Sequence, residues 1–482
     1  MNTSNRDEIK ARVKEIWSSI LKNENIGYDD NYFLLGGDSI KAIKIVNEMQ
    51  KLLKDEKKVP IQYIFSFPTI SKFVEKLYSD KGFKEEQLYT LTSTDLEKEA
   101  TFSGPMFEGK VPVKEPQSCL LTGATGYLGS YLIRELIKQT KLTIYCLVRG
   151  ADLVKAQVRL QKNIESLGLS DGEKSRVIVV CGDLSKPKLG MAADDYEALT
   201  ETIDTIYHNA ALVHFLHTYE GLKKVNLEGT KGVLNFAAKN KLKPVFYVST
   251  ISIFSKFGKK EEVILEDDNL KDSGILPIGY TQSKWVGERV VWQAKERGLP
   301  VMVFRLGHLV GDTSTGECNG DDFVFRMIKA ILSIGAYPDM AGRIEPIAVD
   351  DVAKSIVGLS LDNQNIGGAY HIMNPKPVYF DRLLDYADKK GIVLKPLKRK
   401  EWVKEIERLG PSSEFYLFLK YFDEAFWQDA KVLEFSMKKT NGALKRSNIE
   451  ITPITEEVMD KYYQYLMAEG KIDMSAYVSG II

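Results

Sequence analysis

Tyr280 and Lys284 stand four residues apart in the run Tyr280-Thr281-Gln282-Ser283-Lys284. On a helix that spacing puts both side chains on one face. An ammonium beside a phenol lowers its pKa, so the hydroxyl can exchange a proton near neutral pH. The same spacing also occurs on ordinary solvated helix faces. Some thirty residues earlier, Tyr247-Val248-Ser249-Thr250 closes an apolar run, and Ser249, Thr250 and Ser252 offer hydroxyls there. A second chemical feature is Gly123-Ala124-Thr125-Gly126-Tyr127-Leu128-Gly129, directly after Leu120-Leu121-Thr122. Three glycines between a strand and a helix allow a tight turn, close approach of the backbone to a pyrophosphate, and close helix packing. The third feature is Ser39 in Leu35-Gly36-Gly37-Asp38-Ser39-Ile40. Two glycines loosen the loop, and a hydroxyl at a loop-to-helix junction is open to modification. The helix N-terminus would favour a phosphate there. The plain alternative is a helix cap.

A dinucleotide needs more than glycines. An NAD enzyme usually offers an acid about twenty residues past them, for the ribose 2′-hydroxyl. Here the next strand ends in Leu147-Val148-Arg149. A guanidinium pairs well with a 2′-phosphate, which predicts NADPH rather than NADH. Asp152 is the competing acid nearby. Gly182-Asp183-Leu184 and His208-Asn209-Ala210-Ala211 end two further strand-like runs.

The elements that must position these groups are legible in the hydrophobic pattern. Residues 8–22 carry Ile9, Val13, Ile16, Trp17, Ile20 and Leu21 at helical spacing. A helix starting at Ser39 and short pieces near Ile61–Phe65 and Ile70–Leu77 complete a small four-helix unit over 1–78. Residues 79–115 are polar and Gly/Pro-bearing towards their end, and read as a linker with some local structure. From Ser118 strands and helices alternate: Cys119–Thr122, Thr143–Val148, Val177–Gly182, Thr205–His208, Val245–Ser249 and Val301–Leu306 are the expected strands. That alternation predicts an α/β fold, a doubly wound parallel sheet over 116–375. Residues 376–482 read as a smaller, mainly helical subdomain.

At 482 residues the chain is long enough for two or three domains, and its net charge of +0 argues against a nucleic-acid partner. It shows no apolar run of membrane-spanning length and no signal-peptide pattern. Cys119, Cys146, Cys181 and Cys318 are scattered, with no CxxC pair for zinc or a disulfide framework. Buried thiols and a reducing, cytoplasmic setting are expected. No metal site is expected at His214 and His217, which lack acidic or cysteine partners at ligand spacing.

Residues 33–43, and the apolar spacing across 1–78, resemble the peptidyl carrier domains of nonribosomal peptide synthetases. The glycine loop, Asn209, Thr250, Tyr280 and Lys284 occur in the order of extended short-chain dehydrogenases. Phe325-Arg326-Met327-Ile328-Lys329, Ile334-Gly335-Ala336-Tyr337-Pro338, Val349-Asp350-Asp351-Val352 and Ala369-Tyr370-His371 narrow the likeness to terminal thioester reductase domains of those synthetases, over about 116–375. The resemblance implies a Rossmann-type core and 4′-phosphopantetheine carried on Ser39 after a phosphopantetheinyl transferase has acted. It also implies upstream synthetase modules that deliver a peptidyl or acyl thioester. By the same resemblance Thr250, Tyr280 and Lys284 are catalytic. The cofactor would lie on Gly123, Thr125, Gly126, Tyr127, Leu128, Gly129, Arg149, Asp183, Leu184 and Asn209, and on Tyr280 and Lys284. NADPH would then release the acyl group as an aldehyde, and a second hydride would yield the alcohol. Three rivals share part of the pattern, one of them a redox-inactive reductase relative that releases its product by cyclisation, disfavoured because such domains tend to lack the tyrosine that stands here as Tyr280. A nucleotide-sugar epimerase or dehydratase of the same superfamily is disfavoured by the carrier sequence. A non-enzymatic carrier module with a silent Rossmann domain is disfavoured by the intact Thr250, Tyr280 and Lys284. The resemblance fades over the tail, whose aromatics Phe415, Tyr416, Phe418, Tyr421, Phe422, Phe426 and Trp427 read as core or, more sharply, as an acyl-binding wall.

Overall fold

The structure is a computed structural model. It describes residues 3–32, 35–37, 39–53, 59, 61, 63–64, 67–79, 93–104, 112–215, 217–254, 263–273, 276, 278–320, 322–339, 343–376, 378–379, 389, 391–410, 413, 415–416, 418–419 and 433–472.

Near the N-terminus the helices Thr3–Leu21, Ser39–Leu52 and Ile70–Ser79 bury one stripe each. Val13, Trp17, Ile45 and Phe73 are fully buried, with Trp17 edge-on to Tyr32 at 5.1 Å. Of the piece expected near Ile61–Phe65, only Tyr63 and Ile64 are described as helical.

Seven parallel strands form the main sheet: β1 (Ser118–Thr122), β2 (Thr143–Val148), β3 (Val177–Cys181), β4 (Thr205–His208), β5 (Val245–Thr250), β6 (Val301–Leu306) and β7 (Ala369–Ile372). Their order across the sheet is β7-β6-β5-β4-β1-β2-β3. Every pairing is parallel, with Thr122 opposite His208 and Thr250 opposite Leu306. β1, β4, β6 and β7 are buried along their whole length, as strands covered on both faces must be. That burial explains their continuous apolar runs. β7, Ala369-Tyr370-His371-Ile372, is a seventh strand beyond the six expected. The order reverses at β1, whose neighbours are β2 and β4, and the crevice outside the strand ends there is where ligands bind in open α/β sheets.

Part of the stretch read as a linker is packed firmly. The helix Ser93–Glu99 and residues up to Gly104 lie on the long helix Gly279–Glu296. Leu96, Ala100 and Phe102 are buried; the Phe102 amide donates to Gln293 Oε1 at 2.8 Å, and Gln293 Nε2 donates to the Ala100 carbonyl. Arg289 pairs with Glu97 at 3.4 Å and Lys223 with Glu99 at 2.6 Å. The chain therefore meets the outer face of the helix that carries Tyr280 before it enters the sheet.

Beyond the sheet, the helices Arg399–Leu409, Lys438–Arg446 and Glu456–Ala468 are described. Tyr421, Phe422, Phe426 and Trp427 lie outside the described residues. No described helix is long and apolar enough to cross a membrane. All four cysteines are free thiols, and Cys119, Cys146 and Cys318 are buried.

Candidate active site

A cavity of about 680 Å³ opens at the carboxyl ends of the strands. Its wall includes Gly123, Thr125, Gly126, Tyr127, Leu128, Arg149, Asp183, Leu184, Asn209, Thr250, Tyr280 and Lys284. The sheet thus brings together residues spread over more than a hundred and sixty positions.

The glycine loop is shaped for close backbone approach. Gly123 sits at φ +75°, and a Cβ there would come within 2.9 Å of the Ala210 backbone. Gly126 caps the helix Tyr127–Gln139 with no side-chain hydrogen bond, so the helix N-terminus faces the cavity through backbone amides alone. That is the arrangement that binds a pyrophosphate. Gly129 does not line the cavity. A Cβ there would overlap the Gly123 carbonyl oxygen, so this glycine sets the helix against the loop. Tyr127 contributes its backbone, because its hydroxyl donates to the carbonyls of Glu317 at 2.9 Å and Val310 at 3.2 Å. Asn209 Nδ2 donates to the Gly123 carbonyl at 3.3 Å and ties the β4 end to the loop. Asp183 accepts from the Ser185 amide and hydroxyl at 2.9 and 2.8 Å, which fixes the turn after β3.

Asp152 is not a ribose ligand in this arrangement. It caps the helix Leu153–Ile164, accepting from the Lys155 amide at 2.8 Å. Arg149 is joined at the cavity wall by Arg159 from that helix. Partial burial, and then the nearby Arg149 charge, lower the Arg159 pKa, so the two guanidiniums share one corner. The sequence reading missed Arg159; its signal was a second arginine ten residues after the first.

The catalytic candidates converge from β5 and the helix Gly279–Glu296. Alternation along β5 turns Ser249 and Thr250 to opposite faces. Ser249 also lines the cavity, but its hydroxyl turns to the helix Gly279–Glu296, where it donates to Glu288 Oε2 at 2.5 Å. Thr250 lines the cavity; its Oγ1 accepts from the Ser252 amide at 3.2 Å and keeps its own hydrogen to donate. Lys284 is buried and donates to the Tyr247 hydroxyl at 2.9 Å and the Val248 carbonyl at 2.7 Å. Burial lowers its pKa to about 7, against the opposing pull of Glu288. Burial pushes the Tyr280 hydroxyl up to about 12. The expected depression of the phenol pKa by Lys284 is therefore not what this geometry favours. Burial outweighs it, and Tyr280 is a protonated donor at neutral pH, the form a reduction needs.

Buried polar groups tie the elements around the site to one another. His208 is held down to about 3 by burial and by the Lys284 charge. Thr230 Oγ1 donates to the Asn226 carbonyl at 2.7 Å, so it accepts from His208 Nε2 at 3.0 Å. His208 Nδ1 then accepts from Thr122 Oγ1 at 2.8 Å, and Thr122 in turn accepts from the Ala210 amide at 3.0 Å. Asn226, in one wide helical turn over Lys224–Glu228, donates to Ser283 Oγ at 2.9 Å and to the Leu212 carbonyl at 3.1 Å. It also accepts from the Leu212 amide at 2.7 Å, holding the loop after Asn209 against the Tyr280 helix. Nothing in a linear motif singled out Asn226.

Aromatic rings roof the far end. Phe215 lies 5.8 Å from Tyr280 and 5.8 Å from Phe418, and Phe323 lies 5.5 Å from Phe418. Phe415 is fully buried against Trp402, whereas Phe418 reaches the cavity. The tail aromatics that are described therefore split between core and wall. His214 and His217 stack edge-on at 4.3 Å, with burial lowering them to about 4 and about 3. Among the described residues no cluster could hold a metal ion.

Ser39 is the first residue of its helix, and Gly36 before it sits at φ +84°. Lys41 Nζ donates back to the Gly36 carbonyl at 2.7 Å. The Ser39 side chain and Phe33, Leu34 and Asp38 lie outside what is described.

Comparison with known proteins fits this geometry. Residues 11–77 match the family described as phosphopantetheine attachment site, and residues 121–356 match the NAD-binding family described as male sterility protein. A linear gramicidin synthase polypeptide of Brevibacillus parabrevis is 35% identical over 474 residues, which is 95% of this chain but 9% of that protein. The terminal R domain from the myxalamid PKS-NRPS biosynthetic pathway is 33% identical, with a TM-score of 0.74 over 79% of this chain and 99% of that one. A thiolation-reductase di-domain from an archaeal non-ribosomal peptide synthetase is 26% identical, with a TM-score of 0.68 over 97% of this chain and 98% of that one. With a carrier motif in front and the terminal reductase fold and its cavity behind, the chain belongs to the carrier–terminal reductase didomain family of the nonribosomal peptide synthetases.

Proposed function

We propose that the chain releases an acyl or peptidyl group from its own carrier by NADPH-dependent reduction of the thioester to an aldehyde. The observation that carries this reading is the meeting of Thr250, Tyr280 and Lys284 in the cavity that the glycine loop opens, in a chain that also bears the Ser39 motif. In this reading residues 1–78 are the carrier, 79–115 the linker, 116–375 the reductase core and 376–482 the substrate-facing subdomain. A phosphopantetheinyl transferase places the arm on Ser39, and upstream synthetase modules load it.

The cavity fits the cofactor: an uncapped helix N-terminus for the pyrophosphate, and Arg149 with Arg159 for a 2′-phosphate. Gly123, Thr125, Gly126, Leu128, Asp183, Leu184 and Asn209 would line its length. When bound, NADPH supplies hydride for the thioester carbonyl carbon. Tyr280, protonated, gives its proton to the carbonyl oxygen, and Thr250 donates a hydrogen bond to the same oxygen as charge develops. Lys284 holds the ribose and supports Tyr280. The product thiohemiacetal breaks its C–S bond to give the aldehyde and the free thiol of the arm. A tethered substrate reaches the cavity at high effective concentration.

Two expectations test the cofactor assignment. Losing one charge-assisted phosphate contact costs about 1.5–3 kcal/mol, so Arg149→Ala should raise the Kd for NADPH by roughly ten- to a hundred-fold and leave NADH nearly unchanged. Arg159→Ala should act in the same direction, and equal losses for both cofactors in either variant would make that arginine structural. Lys284→Ala should weaken NADPH and slow reduction together, because one side chain serves both. A titration followed by turnover of an acyl coenzyme A thioester reads both numbers.

A further inference from the structure

Behind the catalytic strand lies a buried charge that the reaction itself does not touch. Glu288 is fully buried, one helical turn beyond Lys284 on the same helix. Its Oε1 accepts from Arg305 Nε at 3.0 Å, Arg305 Nη2 at 2.8 Å and Trp292 Nε1 at 3.0 Å. Its Oε2 accepts from Ser249 Oγ at 2.5 Å, the residue before Thr250. Arg305, on β6, continues the chain: it donates to the Glu266 carbonyl at 3.1 Å and lies 3.3 Å from His371 Nε2 on β7. Thr440, in the helix Lys438–Arg446, donates from its amide to Glu266 Oε1 at 3.0 Å and receives the His371 amide at 2.9 Å. A fully buried ion pair with this many bonds is a weak way to gain stability, since apolar packing would do as well. It does fix geometry and charge.

We propose that Glu288 is a positioning residue for the reduction: it clamps the β5 end that bears Thr250 through Ser249, and it sets its carboxylate one helical turn from Lys284 on the helix that carries Tyr280. The proposal rests on the reductive reading above. Arg305 from β6, Tyr247 and Ser249 from β5, His371 from β7 and Trp292 from its own helix face Glu288 or its partner. Lys284 is faced by Tyr247 from β5, by His208 at the end of β4 and by Glu288. His208 and His371 are held neutral by burial, so they add no charge near neutral pH. Glu288 is thus the carboxylate that offsets the burial of Lys284 among these groups, and through Arg305 and Glu266 it ties the catalytic strand to the helix Lys438–Arg446 at Thr440.

The test is Glu288→Gln in the full chain. The readout is the pH profile of NADPH-dependent reduction of an acyl coenzyme A thioester, with NADPH affinity and melting temperature measured alongside. Glutamine keeps the length and, with its amide oxygen towards Arg305 and Trp292 and its NH2 donating to Ser249 Oγ, a polar partner on each side, but removes the charge. Lys284 acts as an ammonium, so the rate falls as pH rises through its pKa, near 7. Without the carboxylate that pKa drops further and the fall begins at lower pH. The alkaline limb should move about one pH unit to the acid side, with a roughly tenfold lower rate near pH 8 and little change near pH 5.5. Glu288→Asp keeps the charge, so its limb should stay in place even if kcat drops throughout. Ser249→Ala should lower kcat several-fold, about one lost hydrogen bond, with NADPH affinity unchanged. A Glu288→Gln protein slowed by one factor at every pH, in step with a lower melting temperature, overturns the proposal. If that variant fails to fold, a shifted limb in Glu288→Asp or an unaltered kcat in Ser249→Ala overturns it instead. An unmutated protein that reduces no thioester refutes the reductive reading itself, and that control precedes the variants.

Discussion

Tyr280→Phe should cut the rate of thioester reduction by about 10²–10⁴-fold, the range for loss of a general acid, while NADPH still binds. The ring and its contact with Phe215 at 5.8 Å are kept, so the loss reports the hydroxyl alone. The sign with pH follows from burial. Tyr280 stays protonated up to about 12, so the unmutated enzyme should not lose activity through this group at any ordinary pH. Loss above neutrality belongs to Lys284, whose ammonium form declines through about 7. Single-turnover rates for an acyl coenzyme A thioester, measured where chemistry limits, decide the matter. A Tyr280→Phe protein that reduces at the unmutated rate removes Tyr280 from the mechanism. Thr250→Ala should be milder, since it deletes one hydrogen bond to the oxygen and leaves the acid.

Ser39→Ala should abolish every reaction that begins on the carrier. Incubation with a phosphopantetheinyl transferase and an acyl coenzyme A should acylate the unmutated chain once and Ser39→Ala not at all, as read by intact mass. Aldehyde from carrier-loaded substrate should fall to background. Reduction of a free acyl coenzyme A thioester should be untouched, because Ser39 heads its own helix in the N-terminal bundle and the cavity is built from strands β1 to β6. The gap between the two assays measures the tether, whose effective concentration for a short flexible linker is about millimolar. Modification elsewhere with Ser39 intact would end the carrier assignment.

The sheet was largely legible in the sequence, because strands buried on both faces read as continuous apolar runs. Thr143–Val148, Thr205–His208 and Val301–Leu306 have the bounds the pattern predicts, and three others differ by one residue at an end. β7 lies outside the six expected strands; it stands between Gly367-Gly368 and Asn374-Pro375, turn residues that mark a loop on both sides. Residues of the local motifs were legible because each motif is one short run, Gly123 to Gly129 in one and Tyr280 to Lys284 in another. What was not legible depends on distant segments meeting. Arg159 joins Arg149 only because its helix folds back over β2, and Asp152 leaves the ribose corner because it caps that helix. Phe215 and Phe323 meet Phe418 from three separate segments. The docking of residues 93–104 on the Tyr280 helix rests on Gln293 and Arg289, some 190 positions away, which no local pattern reveals.

In the proposed reaction the thioester carried on Ser39 is the substrate of the Tyr280 cavity. The most direct test loads the full chain with an acyl group from acyl coenzyme A and the transferase, removes the excess, and adds NADPH. Released product and the protein are then followed by mass spectrometry. One NADPH should be oxidised per acyl group released as aldehyde, or two where alcohol forms, with the arm left on Ser39 as a free thiol. Acyl release as the carboxylic acid with NADPH unconsumed, or an arm that stays acylated in its presence, would contradict that reaction.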